Sequence, residues 1–131
     1  MGETHLTIDQ LLHEARGQID RLSPAEADAA ARAGAVLIDI RLEDQRARDG
    51  ALPGARVIAR NLLEWRLDAA SPHRDPACAR RDLRLVLVCD EGYQSSLAAA
   101  TFRCFGLDAT DVVGGFQAWK GAGLATPPAR Q

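Results

Sequence analysis

Apolar positions along the chain follow two different periods. Over 8–19 they fall at Ile8, Leu11, Leu12, Ala15 and Ile19, a helical spacing, with Thr7 placed to cap the start. A second start is written in Ser23-Pro24-Ala25-Glu26. Serine caps, proline takes the first helical position, and glutamate follows three residues after the serine. That helix runs through an alanine-rich stretch to Gly34, a good stop. The pattern then changes. Ala35–Ile40 is apolar except for Asp39 near its end, and Leu85–Val88 continues a strand expected over Leu83–Val88. Continuous apolar runs suit parallel strands covered on both faces. Ala55–Ala59 and Ala109–Val113 read as shorter strands.

Polar segments fill the intervals. Charged Glu43–Arg48 predicts a short exposed helix, and Asn61 is placed to cap another through Leu67, carrying Leu62, Trp65 and Arg66. Helix 96–105 is expected to pack Leu97, Ala98, Thr101, Phe102 and Phe105 against a sheet. Phe116–Gly121 is a last short helix. Gly50–Gly54 and Gly114-Gly115 read as turns, Ala69–Arg81 as a solvated loop, and the tail from Ala125 as frayed.

Strands alternating with helices predict an α/β fold in three layers, with a mainly parallel sheet flanked by helices. At 131 residues the chain reads as one domain: residues 1–34 as a helical segment packed on it, 35–126 as its body, 127–131 as a flexible tail. Sheets of this kind bind ligands at the carboxyl ends of their strands. Cys89 ends one strand, and Asp39 and Arg41 end another, so one edge could hold all three.

Charge and composition narrow the classes. A net charge of −2, with arginines spread along the chain, gives no electrostatic case for nucleic acid or a membrane as partner. The three cysteines lack CxxC spacing and the three histidines stand apart, so neither a disulfide framework, nor a metal, nor a cofactor is expected. Met1–Ile8 lacks the basic and apolar blocks of a signal peptide. Leu6 occupies the place where a Met1-Gly2 myristoylation motif needs serine or threonine, and no apolar run nears the ~18 residues of a membrane span. A cytoplasmic, reducing setting is the expectation, and it would keep Cys89 free.

Cys89 is the centre of the candidate chemistry. An apolar strand runs into it; Asp90-Glu91-Gly92-Tyr93-Gln94 follows, and Ser95-Ser96 open a helix. A helix N-terminus carries unpaired N–H groups and partial positive charge, and loop N–H groups can form an anion nest. A cysteine so placed is expected to have a lowered pKa and to be nucleophilic. Blander roles exist for each residue. Cys89 could be a core cysteine, as Cys104 is expected to be, while Cys78 in its polar loop reads as an incidental exposed thiol. Trp65 and Trp119 read as core or edge packing. Asp39 and Arg41 are expected to be a salt bridge fixing the loop ends, with substrate binding as the other role. Tyr93 could line a pocket mouth or only its surface.

Three segments, in order, resemble one family. Leu37-Ile38-Asp39-Ile40-Arg41 with Gly50-Ala51-Leu52-Pro53-Gly54-Ala55, the loop Cys89–Gln94, and Val113-Gly114-Gly115-Phe116-Gln117-Ala118-Trp119 with Ala122-Gly123-Leu124 are similar to the single-domain rhodaneses, which are sulfurtransferases. The resemblance implies that Cys89 carries sulfur as a persulfide. It would take sulfur from a small donor, thiosulfate or a persulfide, and pass it to cyanide, a thiol or a protein acceptor. It also implies a substrate loop of Asp90, Glu91, Gly92, Tyr93, Gln94 and Ser95, supported by Asp39, Arg41 and Ser96. Loop N–H groups would hold the anionic sulfur, Gly92 would allow the tight loop, and Ser95 and Ser96 would cap the helix and donate hydroxyls.

The chain departs from the family where many members carry basic loop residues. Asp90 and Glu91 put negative charge beside the sulfur, and Gln94 is uncharged, which leaves the choice between thiosulfate and a persulfide open. Ala51 stands where histidine is frequent. Phosphatases of the same fold need a loop arginine to grip phosphate, and none lies between Cys89 and Arg103. The alternatives to an enzyme are a rhodanese-like binding or regulatory module and a cysteine redox sensor.

Overall fold

A computed structural model describes residues 5–129. Met1 and Gly2, read above for acylation, and Arg130 and Gln131 of the tail lie outside the described residues. Four strands, β1 (Val36–Asp39), β2 (Arg56–Val57), β3 (Arg84–Val88) and β4 (Asp108–Asp111), form one sheet in the order β2-β1-β3-β4. Every pairing is parallel. The helices are α1 (Ile8–Arg16), α2 (Pro24–Arg32), α3 (Glu43–Asp49), α4 (Leu63–Leu67), α5 (Gln94–Cys104) and α6 (Gly115–Gly121).

Strand alternation builds the three layers. Leu85 and Leu87 of β3 join a core with Ile19, Leu63, Leu67, Ala98, Ala99 and Phe102. Val86 and Val88 point the other way, into a core with Ala27, Leu37, Phe116 and Trp119. The central strand is thus covered on both faces by α4 and α5 on one side and α2 and α6 on the other, which is why its sequence reads apolar throughout. Each fully buried Leu or Val side chain contributes about 1.5–3 kcal/mol.

Both expected helix starts are present as capping boxes at Thr7 and Ser23. Several expectations are corrected. Helix α1 stops at Arg16, with Gly17 at its C-cap, short of Ile19. Strand β2 is two residues long. Asn61 does not cap α4: Arg60–Leu62 form a 3-10 turn and α4 begins at Leu63. Leu63 and Leu67 bury one side of α4, so Trp65, two residues from each, faces outward at 57% exposure. The same geometry exposes Cys104, two positions past the buried Phe102. Cys78 is buried instead, because its loop turns back onto the core. The tail is pinned as far as Pro127: the Ala51 N–H donates to the Pro127 carbonyl at 2.6 Å, and the Trp119 indole N–H donates to the Ala125 carbonyl at 2.9 Å. Among the described residues no helix is long and apolar enough to cross a membrane.

Candidate active site

The sheet register brings three strand ends to one edge. Asp39 lies opposite Val88, and Leu87 opposite Asp111. The acids ending β1 and β4 therefore flank the strand that delivers Cys89. The Cys89 side chain sits at the bottom of its loop, in a residue only 3% exposed. Gly92 takes a φ of +84°, a left-handed conformation that favours glycine. The turn aims the Gly92 N–H at Sγ, 3.1 Å away. Helix α5 then begins at Gln94, two residues earlier than its apolar pattern implies. Ser95 and Ser96 consequently fall inside the first turn and do not cap it; Tyr93 is the cap residue and makes no side-chain bond there.

The serine hydroxyls go elsewhere. Both donate to Oδ2 of Asp111 at 2.7 Å, and the Cys89 Sγ lies 3.2 Å from Ser95 Oγ. Asp111 is wholly buried. A buried carboxylate needs a charge partner and filled hydrogen-bond positions. Arg21 supplies the charge, its Nε 2.8 Å from Oδ1 and its Nη2 3.2 Å from Oδ2. Arg21 and Arg16 also each donate through Nη2 to the Gly92 carbonyl, at 2.9 and 2.7 Å. Arg16 adds a bond from Nε to Ser96 Oγ at 3.1 Å and places its guanidinium 5.6 Å from the centre of the Tyr93 ring. The N-terminal segment thus braces the loop with two cations.

Asp39 and Arg41 reach the loop by a longer route. Their pair is bidentate, Nη2 to Oδ2 at 2.8 Å and Nε to Oδ1 at 3.1 Å, and buried on both sides. Arg41 also donates to the Gly50 carbonyl at 2.8 Å, and its guanidinium stacks 3.6 Å above the Phe116 ring. The Phe116 N–H in turn donates to the Cys89 carbonyl at 2.9 Å, and the Gln117 N–H to the Asp90 carbonyl at 3.0 Å. Gly114-Gly115 is therefore more than a turn. A Cβ on Gly115 would stand 2.5 Å from the Cys89 carbonyl oxygen and 2.7 Å from the Gly92 nitrogen. Only glycine lets the start of α6 come so close to the loop.

The rim is acidic. Asp90 accepts from the Gln117 amide at 3.0 Å, and the same amide binds Asp49 at 3.0 Å. The Arg48 hydrogen bond, followed by Gln117, Arg48 charge and Lys120, outweighs desolvation and holds the Asp49 carboxyl down at about 2. Glu91, Tyr93 and Gln94 are exposed. The structure thus gathers Cys89, Gly92, Ser95 and Ser96 around one centre and sets Asp90, Glu91, Tyr93 and Gln94 on its edge. Sequence reasoning missed Asp111, Arg16 and Arg21. A signal existed for the first: Asp111 closes a short strand as Asp39 does, at the edge where such sheets bind ligands. Nothing local marks the two arginines, whose role depends on α1 and its following loop packing beside α5.

The family model for the rhodanese-like domain matches residues 23–122. No curated protein matches significantly. Solved structures do. A Rhodopseudomonas palustris protein of unknown function, described as a possible tyrosine phosphatase, is 35% identical with a TM-score of 0.85, covering 96% of this chain and 98% of that one. A 30 kDa polysulfide-sulfur transferase homodimer from Wolinella succinogenes is 23% identical, TM-score 0.66, covering 88% and 82%. A thiosulfate sulfurtransferase from Pseudomonas aeruginosa is 24% identical, TM-score 0.63, covering 85% of this chain and 20% of that one. The last two share the fold. From the match over most of its length, with the motifs in place around Cys89, the chain belongs to the rhodanese-like domain family.

Proposed function

We propose that the protein is a sulfurtransferase that carries sulfane sulfur on Cys89. The observation that carries this reading is the Gly92 N–H fixed 3.1 Å from Sγ. A preorganised donor of this kind stabilises an anionic sulfur without reorganisation. The Cys89 thiolate attacks the outer sulfur of the donor. The bond from that sulfur to the rest of the donor breaks, and the leaving thiolate or sulfite takes the electron pair. A thiol or cyanide acceptor then attacks the outer sulfur of the Cys89 persulfide, and Cys89 departs as thiolate. The chemistry needs a free thiol, which suits a reducing compartment such as the cytoplasm.

The rim acids bear on the donor. Asp90 and Glu91 oppose a dianion such as thiosulfate, so a low-molecular-weight persulfide is the favoured donor. Intact mass spectrometry tests both points. A persulfide donor adds one sulfur, cyanide removes it, and Cys89→Ser abolishes the gain. Asp90→Lys with Glu91→Arg raises thiosulfate loading about tenfold relative to persulfide loading. Failure of every donor to load Cys89 sinks the reading in favour of a binding or regulatory module. Peroxide oxidation of Cys89 without sulfur loading would point to a redox sensor.

The description of the Rhodopseudomonas protein raises a phosphatase as the second reading. The loop argues against it. Residues 90–96 contain no arginine, and Arg16 and Arg21 meet the loop at the Gly92 carbonyl. Phosphoester hydrolysis needs a guanidinium gripping the phosphate in the loop itself.

A further inference from the structure

We infer that Asp111 is a positioning residue for Cys89, acting through the Ser95 hydroxyl. This rests on Cys89 being the sulfur-carrying nucleophile. A serine hydroxyl has one proton and two lone pairs. Here the proton is directed at Asp111 Oδ2, 2.7 Å away. Toward Sγ, at 3.2 Å, Ser95 therefore presents a lone pair and accepts from the thiol S–H. Once Cys89 gives its proton to solvent, before it attacks the donor, that lone pair faces an anion. Rotation about the Cβ–Oγ bond then turns the Ser95 proton onto the sulfur, beside the Gly92 N–H. Asp111 withstands the loss, because it keeps Ser96 at 2.7 Å and Arg21 at 2.8 and 3.2 Å.

The neighbouring serine shows that position and bonding divide the two roles. Ser96 binds the same carboxylate oxygen, but its other partners are the Gly92 carbonyl at 3.3 Å and the Arg16 Nε at 3.1 Å. Ser95 alone of the pair touches the sulfur. The charged and titratable groups around this centre are Arg16 and Arg21 from the N-terminal segment, Asp90, Glu91 and Tyr93 of the loop, and the Asp39–Arg41 pair at the end of β1. In this setting Asp111 sets the pH at which Cys89 becomes reactive, by deciding which way one hydroxyl points.

The test is the rate of Cys89 alkylation by iodoacetamide across the pH range in which thiols titrate, read on the Cys89 peptide by mass spectrometry. Ser95→Ala raises the midpoint by about one pH unit, since the anion loses a donor. Ser95→Thr keeps it. Asp111→Asn lowers it by about one unit, and in the Ser95→Ala background the same substitution moves it by less than half as much. A parental midpoint in Ser95→Ala overturns the inference. So does a full Asp111→Asn shift without the hydroxyl, which would mean that Asp111 acts by charge alone. If Asp111→Asn fails to fold around Arg21, the Ser95→Ala and Ser95→Thr comparison decides. Alkylation involves no sulfur transfer, so the two readings fail separately. Donors that never load Cys89 defeat the sulfurtransferase, and a fixed alkylation profile defeats the positioning role.

Discussion

Cys78 and Cys89 are both buried thiols, and each lies near a carboxylate that is paired with an arginine. The Cys78 Sγ lies 3.7 Å from Asp75 Oδ2, and Arg56 binds that oxygen at 2.7 Å. Cys89 stands 3.2 Å from Ser95, whose hydroxyl reaches Asp111, and Arg21 binds Asp111 at 2.8 Å. The outcomes differ. Burial first, and then the Asp75 charge, push the Cys78 thiol up to about 11, with Arg56 opposing them. Cys89 instead has an N–H aimed at its sulfur, and a hydroxyl in place of direct carboxylate contact. Burial beside an acid raises the Cys78 thiol; a fixed donor and an intervening hydroxyl are what the Cys89 site adds.

The sharpest break of this contrast is competitive alkylation at neutral pH. A thiol held at about 11 is thiolate in roughly one molecule in ten thousand at pH 7. Cys89 is expected to react at least about a hundredfold faster than Cys78, and peptide mapping of a single time course reads both. Equal rates would mean that the loop gives Cys89 no advantage. Gly115→Ala comes next. Its new Cβ would strike the Cys89 carbonyl at 2.5 Å in a strained left-handed conformation, at a cost of about 1–3 kcal/mol. The loop must shift, and the Gly92 N–H with it. Cys89 alkylation and sulfur loading should each fall about tenfold, while the Cys78 rate stays put. An unchanged Cys89 rate would show that the loop does not depend on α6.

Stability against pH gives a smaller, oppositely placed signal. The folded Cys78 thiol binds its proton more tightly than its ordinary value of 9.0. Its contribution is therefore complete below about pH 9. It is lost as pH rises toward about 11, where the unfolded chain has already released the proton. Urea midpoints should fall across that window, and Cys78→Ala should flatten the slope even though its cavity lowers every midpoint. An identical slope in Cys78→Ala would assign the alkaline loss to other groups.

Much of this was legible in the sequence. Caps at Thr7 and Ser23, the two-faced apolar run of β3, and the glycine of the Cys89 loop are local signals, and each is realised. What was not legible depends on packing between distant elements. Cys78 looked exposed because its loop is polar, yet Asp75 and Arg56 tie that loop down and turn the sulfur inward. Cys104 looked buried because its helix is, yet the buried face runs through Ala98, Ala99 and Phe102. The serines looked like caps because the apolar part of α5 begins after them. Their true partner, Asp111, comes from the adjacent strand, and its charge partner Arg21 from the far end of the chain. A short-range reading finds the loop cysteine; it cannot find a brace supplied by elements on either side.

The smallest effect separates the two causes that silence Cys78. Asp75→Asn removes the negative charge beside the sulfur and releases Arg56, whose positive charge already favours the thiolate. Both changes lower the thiol. Burial, the larger cause, remains, because Cys78 stays packed in the core cluster that holds Leu63, Leu67 and Phe102. Cys78 alkylation should therefore quicken by less than about tenfold, and stay far behind Cys89. If it rose to match Cys89, the carboxylate and not the burial would be the silencing element. The hydroxyl standing between Cys89 and Asp111 would then be the main difference between the two sites. If it rose only slightly, burial stays the silencing element, and the donor from Gly92, which Asp75→Asn does not give to Cys78, keeps that place.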